Sequence, residues 1–219
     1  MNIIGGQSGT AYDAAWWRRV EALYETSFPG LARGIASAAA TGAIWAEVTT
    51  PFVCFVDDTP VAHVGVLMHP LWLQGDAVTV AGIHAVCTHP DHRGRGYARA
   101  TLAAAMRFVD ERGVLAKLHT DDPPIYTGHG FAPQPTHRFL SQQAPAQGVA
   151  RRLLQPSADP TDAALFQRML SERAPVSHHF GTRDEGWLVH IDAALSRRLD
   201  NGLWYLPDHD ALVGYEEDE

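Results

Sequence analysis

The chain has 219 residues, 46% of them hydrophobic, so it can bury a core of its own as one domain with an appendage or as two small domains. Its 25 carboxylates exceed its 17 lysines and arginines, and the net charge of −8 disfavours nucleic acid, which needs many phosphate-neutralising cations, and favours a cationic or amine substrate. The two cysteines lie in apolar segments, which predicts a cytoplasmic protein without disulfides. The start is not leader-like and no apolar run approaches about 20 residues, so no membrane partner is predicted.

Two helices are predicted before any strand. Apolar residues recur at roughly helical spacing over about Tyr12–Thr26, and Pro29-Gly30 ends that helix. The Ala-rich segment Leu31–Ala40 predicts a second helix. No convincing first strand is recognised ahead of Tyr12.

Three strands are predicted next. Phe52–Val56 and Val61–Leu67 are rich in β-branched and aromatic residues and flank the turn-forming cluster Asp57–Pro60, a pattern typical of a hairpin. A third strand is predicted over Val78–Thr88, and it leads into a loop rich in glycine and arginine.

A crossover unit is predicted beyond this loop. Ala98, Leu102, Ala105 and Val109 lie at spacings of four, three and four, which puts them on one face of a helix. Val114–His119 reads as the next strand, parallel to the one before the helix. A helical turn around Ile125–Gly128 and a closing strand around Thr136–Leu140 complete the pattern.

The tail repeats, at half length, the order strand, helix, helix and hairpin. A boundary segment at Ser141–Thr161 contains the short strand, predicted at Val149–Leu154. After it, helices are predicted at Asp162–Arg173 and Glu185–Arg198, and the hairpin at Leu203–Leu206 and Ala211–Tyr215. We therefore predict a domain at residues 1–145 and a degenerate repeat with an αα-hairpin at residues 146–219.

The loop HPDHRGRGYA has the features of an anion site. Gly94 and Gly96 allow a ligand close to the backbone, and the following helix offers unpaired N–H groups at its positive end. Arg93 and Arg95 add charge and forked donors that suit phosphate. A simple glycine-rich connection with solvated arginines remains the alternative. The Walker and dinucleotide-binding patterns both fail here, because the glycine spacing and the following residues do not match.

The same residues resemble the loop of the GNAT family of acyl-CoA-dependent N-acetyltransferases, [QR]-x-x-G-x-[GA]. The segment from Arg93 to Ala98 fills every position, and Ile125-Tyr126-Thr127-Gly128-His129-Gly130-Phe131 is similar to the family's second landmark. The resemblance covers roughly residues 12 to 140. It implies an α/β (α+β) fold in which helices flank a mixed, mostly antiparallel sheet, with acetyl-CoA as co-substrate and an amine-bearing acceptor.

The resemblance also implies roles for individual residues. The backbone of Gly94, Arg95, Gly96, Tyr97 and Ala98 would hold the pyrophosphate, with the side chains of Arg93 and Arg95 nearby. The backbone of Val86, Cys87 and Thr88 would pair with the pantetheine arm, and the acetyl carbonyl would meet a main-chain N–H of the same strand. Tyr126 would be the general acid that protonates the leaving thiolate.

The general base is left open. Strand alternation predicts that His84 shares a face with Val86, and His119 ends the neighbouring strand, so either imidazole could accept the proton. Glu47, the acidic end Glu216–Glu219 and a water chain are further candidates.

No metal is expected, because neither His89-x-x-His92 nor the pair His178-His179 has the spacing of a structural zinc site. Two functions other than catalysis stay open. The chain could be a CoA-binding regulatory module without turnover, or the tail could be a dimerisation arm that makes a homodimer.

Overall fold

The computed structural model describes residues 1–134, 150–173, 180–182, 191–194 and 202–214. Six described strands form a central sheet, namely β1 (Asn2–Gly5), β2 (Thr50–Val56), β3 (Thr59–Leu73), β4 (Asp76–Thr88), β5 (Leu115–Lys117) and β7 (Phe180–Thr182). Their order is β1-β2-β3-β4-β5, and β7 pairs with the C-terminal end of β3, from Leu71 to Leu73. A smaller sheet has the order β6-β8-β9, formed by β6 (Arg152–Leu153), β8 (Leu203–Leu206) and β9 (Ala211–Gly214).

The described helices flank the central sheet. They are α1 (Ala14–Glu25), α2 (Leu31–Ala40), α3 (Trp45–Val48), α4 (Tyr97–Asp110), α5 (Pro124–Thr127) and α6 (Pro160–Ser171). The Asp13 side chain caps α1 by accepting a hydrogen bond from the Trp16 N–H at 2.8 Å. No described helix combines the length and the apolar composition of a bilayer-spanning segment.

Every strand pair of the central sheet is antiparallel except β4 and β5. Val80–Gly82 pair in parallel with Leu115–Lys117, and α4 makes the crossover between these strands. Leu102, Ala105 and Val109 of α4 are buried, as their spacing predicts. The predicted fold, a mixed and mostly antiparallel sheet flanked by helices, is confirmed.

The sheet begins with a strand that was not recognised in the sequence. β1 precedes Tyr12 and pairs with β2, from Asn2 opposite Phe55 to Gly5 opposite Phe52. This strand has four residues and is mostly exposed, so it carries none of the alternating apolar signal by which a half-buried strand is recognised.

Two apolar clusters lie on opposite sides of the sheet. The α4-side core contains Phe52, Val64, Val66 and Ile83 of the sheet with the buried face of α4. The α1-side core contains buried residues of α1, of the other face of the sheet and of the tail, namely Trp17, Val20, Tyr24, Val53, Leu154, Phe166 and Leu170. The described part of the tail therefore packs on the same side of the sheet as α1.

The tail shows part of the predicted order. β6, α6 and the β8-β9 hairpin fall within the predicted strand, first helix and hairpin, or overlap them closely. The predicted closing strand Thr136–Leu140 lies outside the described residues, as does most of the predicted helix Glu185–Arg198, of which residues 191–194 are helical. The division at residue 145 and the duplication remain predictions.

Phe166→Ala is expected to destabilise the whole chain, because Phe166 is fully buried in the α1-side core. Truncation of a buried phenylalanine lowers the free energy of unfolding by about 3–5 kcal/mol. Denaturant unfolding followed by tryptophan fluorescence measures this change. The control Leu115→Ala removes a side chain that is 72% exposed and should cost less than about 0.5 kcal/mol. Two transitions, with only one shifted by Phe166→Ala, would contradict a shared core.

Candidate active site

A β-bulge lies near the end of β4, where this strand pairs with β3. Gly65 of β3 pairs with His84, whereas His63 pairs with Cys87, so a step of two residues on β3 opposes a step of three on β4. Within the bulge Ala85 has a φ of 47°, in the left-handed region that alanine seldom adopts. Since β5 ends at Lys117, opposite Gly82, the bulged end of β4 runs on to Thr88 beyond the end of β5.

The bulge corrects the prediction that His84 and Val86 share a face. One extra residue reverses the alternation of side chains along the strand. The His84 ring meets Trp45 of the α1-side core edge to face, at 5.0 Å between ring centroids. Val86 instead packs against the α4-side core. The two residues therefore lie on opposite faces of β4.

Two buried side chains hold the bulge. His63 is fully buried, and its Nδ1–H donates to the carbonyl oxygen of Ala85 at 2.7 Å. That tautomer leaves Nε2 as an acceptor for the hydroxyl of Tyr24, 3.0 Å away. Burial lowers the pKa of His63 to about 4, although the Ala85 carbonyl opposes this shift. The imidazole is therefore neutral at pH 7, and both of its nitrogens have partners.

A cleft of about 770 Å³ lies beside the bulged end of β4, and we call it the loop cleft. Of the residues predicted to bind a cofactor, it is lined by Val86, Cys87, Thr88, Arg93, Gly94, Gly96, Tyr97 and Ala98. Tyr126 of α5 lines the same cleft. Arg95 is exposed and is not among the residues that line this cleft.

The glycine loop presents main-chain donors to the loop cleft. Gly94 and Gly96 have φ values of 73° and 80°, and a Cβ at either position would meet no atom within 4 Å. Their role is therefore conformational, because the left-handed backbone turns the chain into α4. The ladder of α4 begins with the Ala100 N–H bonded to the Gly96 carbonyl at 3.0 Å. The N–H groups of the first helical turn before it have no acceptor within the helix.

The end of β4 adds hydrogen-bonding groups to this cleft. The His89 N–H donates to the Val61 carbonyl at 2.9 Å, so the neighbouring Thr88 directs its own N–H and C=O away from β3. The Arg93 side chain donates a hydrogen bond from Nε to the Thr88 carbonyl at 3.3 Å. The strand edge beyond β5 can thus pair with an extended ligand.

Tyr126 and Cys87 bring two titratable groups into the loop cleft, and both stay protonated at pH 7. Burial raises the pKa of the Tyr126 phenol above its usual value of 10, with a smaller opposing effect from a hydrogen bond to Thr120. Burial also raises the pKa of the Cys87 thiol to about 12, which argues against a nucleophilic thiolate there.

A second cleft of about 730 Å³ lies beside the start of α2, and we call it the α2 cleft. It is lined by Phe28, Pro29, Gly30, Leu31, Arg33, Gly34, Ser37, Trp45, His84, Ala85 and Ala194. The two clefts share Phe28, and they meet at the bulge, where Ala85 lines one and Val86 the other.

His84 lies in the α2 cleft with one nitrogen occupied. Its Nε2 is 2.9 Å from the Thr49 hydroxyl, whereas its Nδ1 is buried and finds no hydrogen-bond partner among the described residues. Gly65 permits this position, because a Cβ there would lie 2.5 Å from the imidazole ring. Burial first, and the neighbouring His63 second, lower the pKa of His84 to about 3, so the ring is neutral at pH 7.

Neither cleft is lined by the other candidate bases that lie within the described residues. His119 is exposed two residues beyond β5, and Glu47 of α3 is exposed as well. Glu216–Glu219 and the pair His178-His179 lie outside the described residues. Within the described ranges, no three histidine, cysteine or carboxylate side chains are grouped as a metal site.

Of the residues that line the α2 cleft, only His84 was predicted as a site residue from the sequence. Phe28, Arg33 and Trp45 flank or belong to the helices before β2, and only the break at Pro29-Gly30 signals that the chain turns there. Their convergence on His84 depends on the packing of α2 and α3 against the sheet.

A family model described as "Acetyltransferase (GNAT) family" matches residues 17–131, more than half of the chain. No curated protein matches it.

Several solved structures are similar. One is AAC(6')-Iy in complex with the bisubstrate analog CoA-S-monomethyl-acetylneamine, at a TM-score of 0.50 and 16% identity over 65% of this chain and 98% of that one. The aminoglycoside N-acetyltransferase AAC(6')-Iy in complex with CoA has the same TM-score and identity, over 65% and 95% of the two chains. A putative acetyltransferase from Agrobacterium tumefaciens str. C58 reaches a TM-score of 0.45 at 23% identity, over 65% and 100%. At 16% identity, the two matches with a TM-score of 0.50 show the fold alone.

Gly96→Ala is expected to weaken CoA binding about 5- to 30-fold, because a left-handed residue with a Cβ costs roughly 1–2 kcal/mol. The loop would relax and move its donors, and binding would have to restore them. Isothermal titration with CoA measures the change. Gly113→Ala is the matched control, because Gly113 also has a positive φ with open space around it but lies after α4, outside the loop cleft. Equal affinities for both variants would contradict a role for the Gly96 conformation.

Proposed function

Because this chain belongs to the acetyltransferase (GNAT) family of acyl-CoA-dependent N-acetyltransferases, we propose that it transfers an acetyl group from acetyl-CoA to a primary amine of a small molecule or protein, with Tyr126 as general acid. The observation that carries the proposal is the composition of the loop cleft. The glycine loop, the free edge of β4 and the Tyr126 phenol line one cavity that adjoins a second one.

The two clefts divide the substrates between them. The loop cleft would hold the CoA moiety, with the diphosphate on the N–H groups of the glycine loop and the pantetheine arm along β4. The α2 cleft would hold the acceptor. The thioester then lies where the clefts meet, at the bulge between Ala85 and Val86.

The reaction requires that the amine lose one proton and that the leaving thiolate gain one. The amine nitrogen attacks the thioester carbonyl carbon, the new C–N bond forms, and the C–S bond breaks as the thiolate leaves. Tyr126 supplies a proton to the sulfur, since burial keeps its phenol protonated at pH 7. The same burial disfavours a free thiolate in the cleft, which favours this transfer.

His84 is the favoured partner of the attacking amine. Its buried, unpartnered Nδ1 and its place in the α2 cleft distinguish it from His119, which is exposed. With a pKa of about 3 the imidazole can accept a hydrogen bond from the amine but holds a proton poorly. We therefore assign His84 a role in orienting the amine and passing its proton on to water.

Tyr126→Phe is expected to lower kcat by about 10²–10⁴-fold, the usual contribution of a general acid, without changing CoA affinity. Thiol release on a broad amine panel measures turnover, and calorimetry measures CoA binding. Tyr12→Phe serves as the control, because Tyr12 stacks on Trp16 and lines neither cleft.

Unchanged turnover in Tyr126→Phe would remove the general-acid assignment. Tight CoA binding with no turnover of any amine by the unaltered protein would instead favour the CoA-binding regulatory module.

A further inference from the structure

The charge on the wall of the α2 cleft limits the kind of amine that fits it. Much of the wall is apolar, contributed by Phe28, Leu31 and Trp45. Of the described lining residues none is a carboxylate, and at pH 7 Arg33 alone carries a formal charge, because His84 is neutral. A cleft with this lining is locally positive in a chain whose net charge is −8.

Arg33 is available to a ligand. It is exposed, and none of the ion pairs between described residues includes it. The nearest carboxylate along the chain is Glu25, whose two oxygens accept the N–H groups of Gly30 and Ala32 at 2.8 Å each. These bonds hold the pKa of Glu25 below its usual value, with a smaller effect from Arg33. Glu25 thus caps the start of α2 and is not among the residues that line the cleft.

We propose that the acceptor is an amine that also carries a carboxylate and an apolar or aromatic body, and that Arg33 binds the carboxylate. The inference rests on the proposed function and narrows its substrate class. A guanidinium fork matches a carboxylate with two parallel hydrogen bonds, and the apolar wall would cover the body of the molecule. A polycation such as a polyamine or an aminoglycoside would meet a like charge and no carboxylate on the described wall.

The lining of the α2 cleft thereby favours a substrate with a negative group, whereas the net charge of the whole chain favours a cationic one. Net charge governs the field far from the protein, whereas the groups within a few ångströms decide which charge the bound acceptor can carry.

The test uses amines that differ only in the carboxylate. Phenylalanine is compared with phenylalaninamide, and 4-(aminomethyl)benzoate with its amide, alongside spermidine and an aminoglycoside. We expect kcat/KM to be at least 10-fold higher for a carboxylate than for its amide. Arg33→Gln should abolish this preference by raising KM for the carboxylates. Arg18→Gln, on the exposed surface of α1 and outside both clefts, should preserve it.

A second readout separates this inference from the proposed function. Calorimetry with CoA present measures the affinity for each acceptor whether or not it turns over. If amides or polycations bind as well as carboxylates, or if Arg33→Gln leaves the preference intact, the substrate class is wrong while the transferase activity can stand. If carboxylates bind through Arg33 but no amine is acetylated, the substrate class holds and the transferase activity fails.

A different observation carries a second inference. Ala85 holds a left-handed backbone at the junction of the two clefts, and its carbonyl is bonded to His63, which contacts neither cleft. We propose that His63 is a positioning residue that keeps β4 bulged and so aligns the thioester with the amine. The Tyr24 hydroxyl supports it by fixing the tautomer that donates to Ala85.

Substitutions at both ends of this hydrogen bond test the role. His63→Leu removes the donor, and we expect kcat to fall at least 10-fold with little change in CoA affinity. His63→Asn places an amide N–H near the position of Nδ1 and should retain most of the activity. Ala85→Gly in the His63→Leu background should restore part of the lost kcat, because glycine adopts a positive φ without strain.

A purely structural role for His63 predicts a different pattern. Ala85→Gly would then lower stability further and restore no kcat, and that result would overturn the inference. If His63→Leu does not fold, Tyr24→Phe provides the milder test, because it frees the tautomer of His63 and keeps the ring. An unchanged kcat in a folded Tyr24→Phe variant, together with an inactive His63→Asn, would also contradict it.

Discussion

The hydrogen bond from His63 Nδ1–H to the Ala85 carbonyl is the contact on which the site depends. It joins β3 to the bulged part of β4, Ala85 and Val86, which has no partner in the regular ladder, and its donor His63 is fully buried while Ala85 is partly buried. An unmade hydrogen bond in such a place is costly, which stabilises the bulge against the regular register. The bulge reverses the alternation of side chains along β4, so that His84 lines the α2 cleft and Val86 lines the loop cleft.

Electrostatics in the two clefts are set locally. The chain is acidic overall, yet the loop cleft is lined by Arg93 and Arg99 and by the N-terminal end of α4, and the α2 cleft contains Arg33. Burial acts in the opposite sense on the titratable side chains, because it favours the uncharged forms of the Tyr126 phenol and the His84 imidazole. The result is a pair of adjoining cavities with positive rims and neutral proton donors and acceptors inside.

The tail contributes to the site through packing. Phe166, Leu170 and Leu154 share the α1-side core with Trp17 and Val20, so the helices that form the wall of the α2 cleft pack on a surface that includes the tail. Ala194 lines that cleft directly. The described part of the tail thus meets the rest of the chain beside the α2 cleft, the proposed acceptor site.

The sequence alone determined the features whose causes are local. The glycine loop is readable because positive φ values and the start of α4 are properties of adjacent residues, and the buried face of α4 follows from helical spacing. The landmark around Tyr126 was readable for the same reason. The tertiary structure alone decided which residues meet across the sheet. β1 carries too little apolar signal to be recognised without its partner β2, and the Ala85 carbonyl at the bulge accepts its hydrogen bond from His63, more than 20 positions away. Only that long-range pairing places the His84 side chain in the α2 cleft with Arg33. The register between neighbouring strands decides on which face of the sheet a side chain lies.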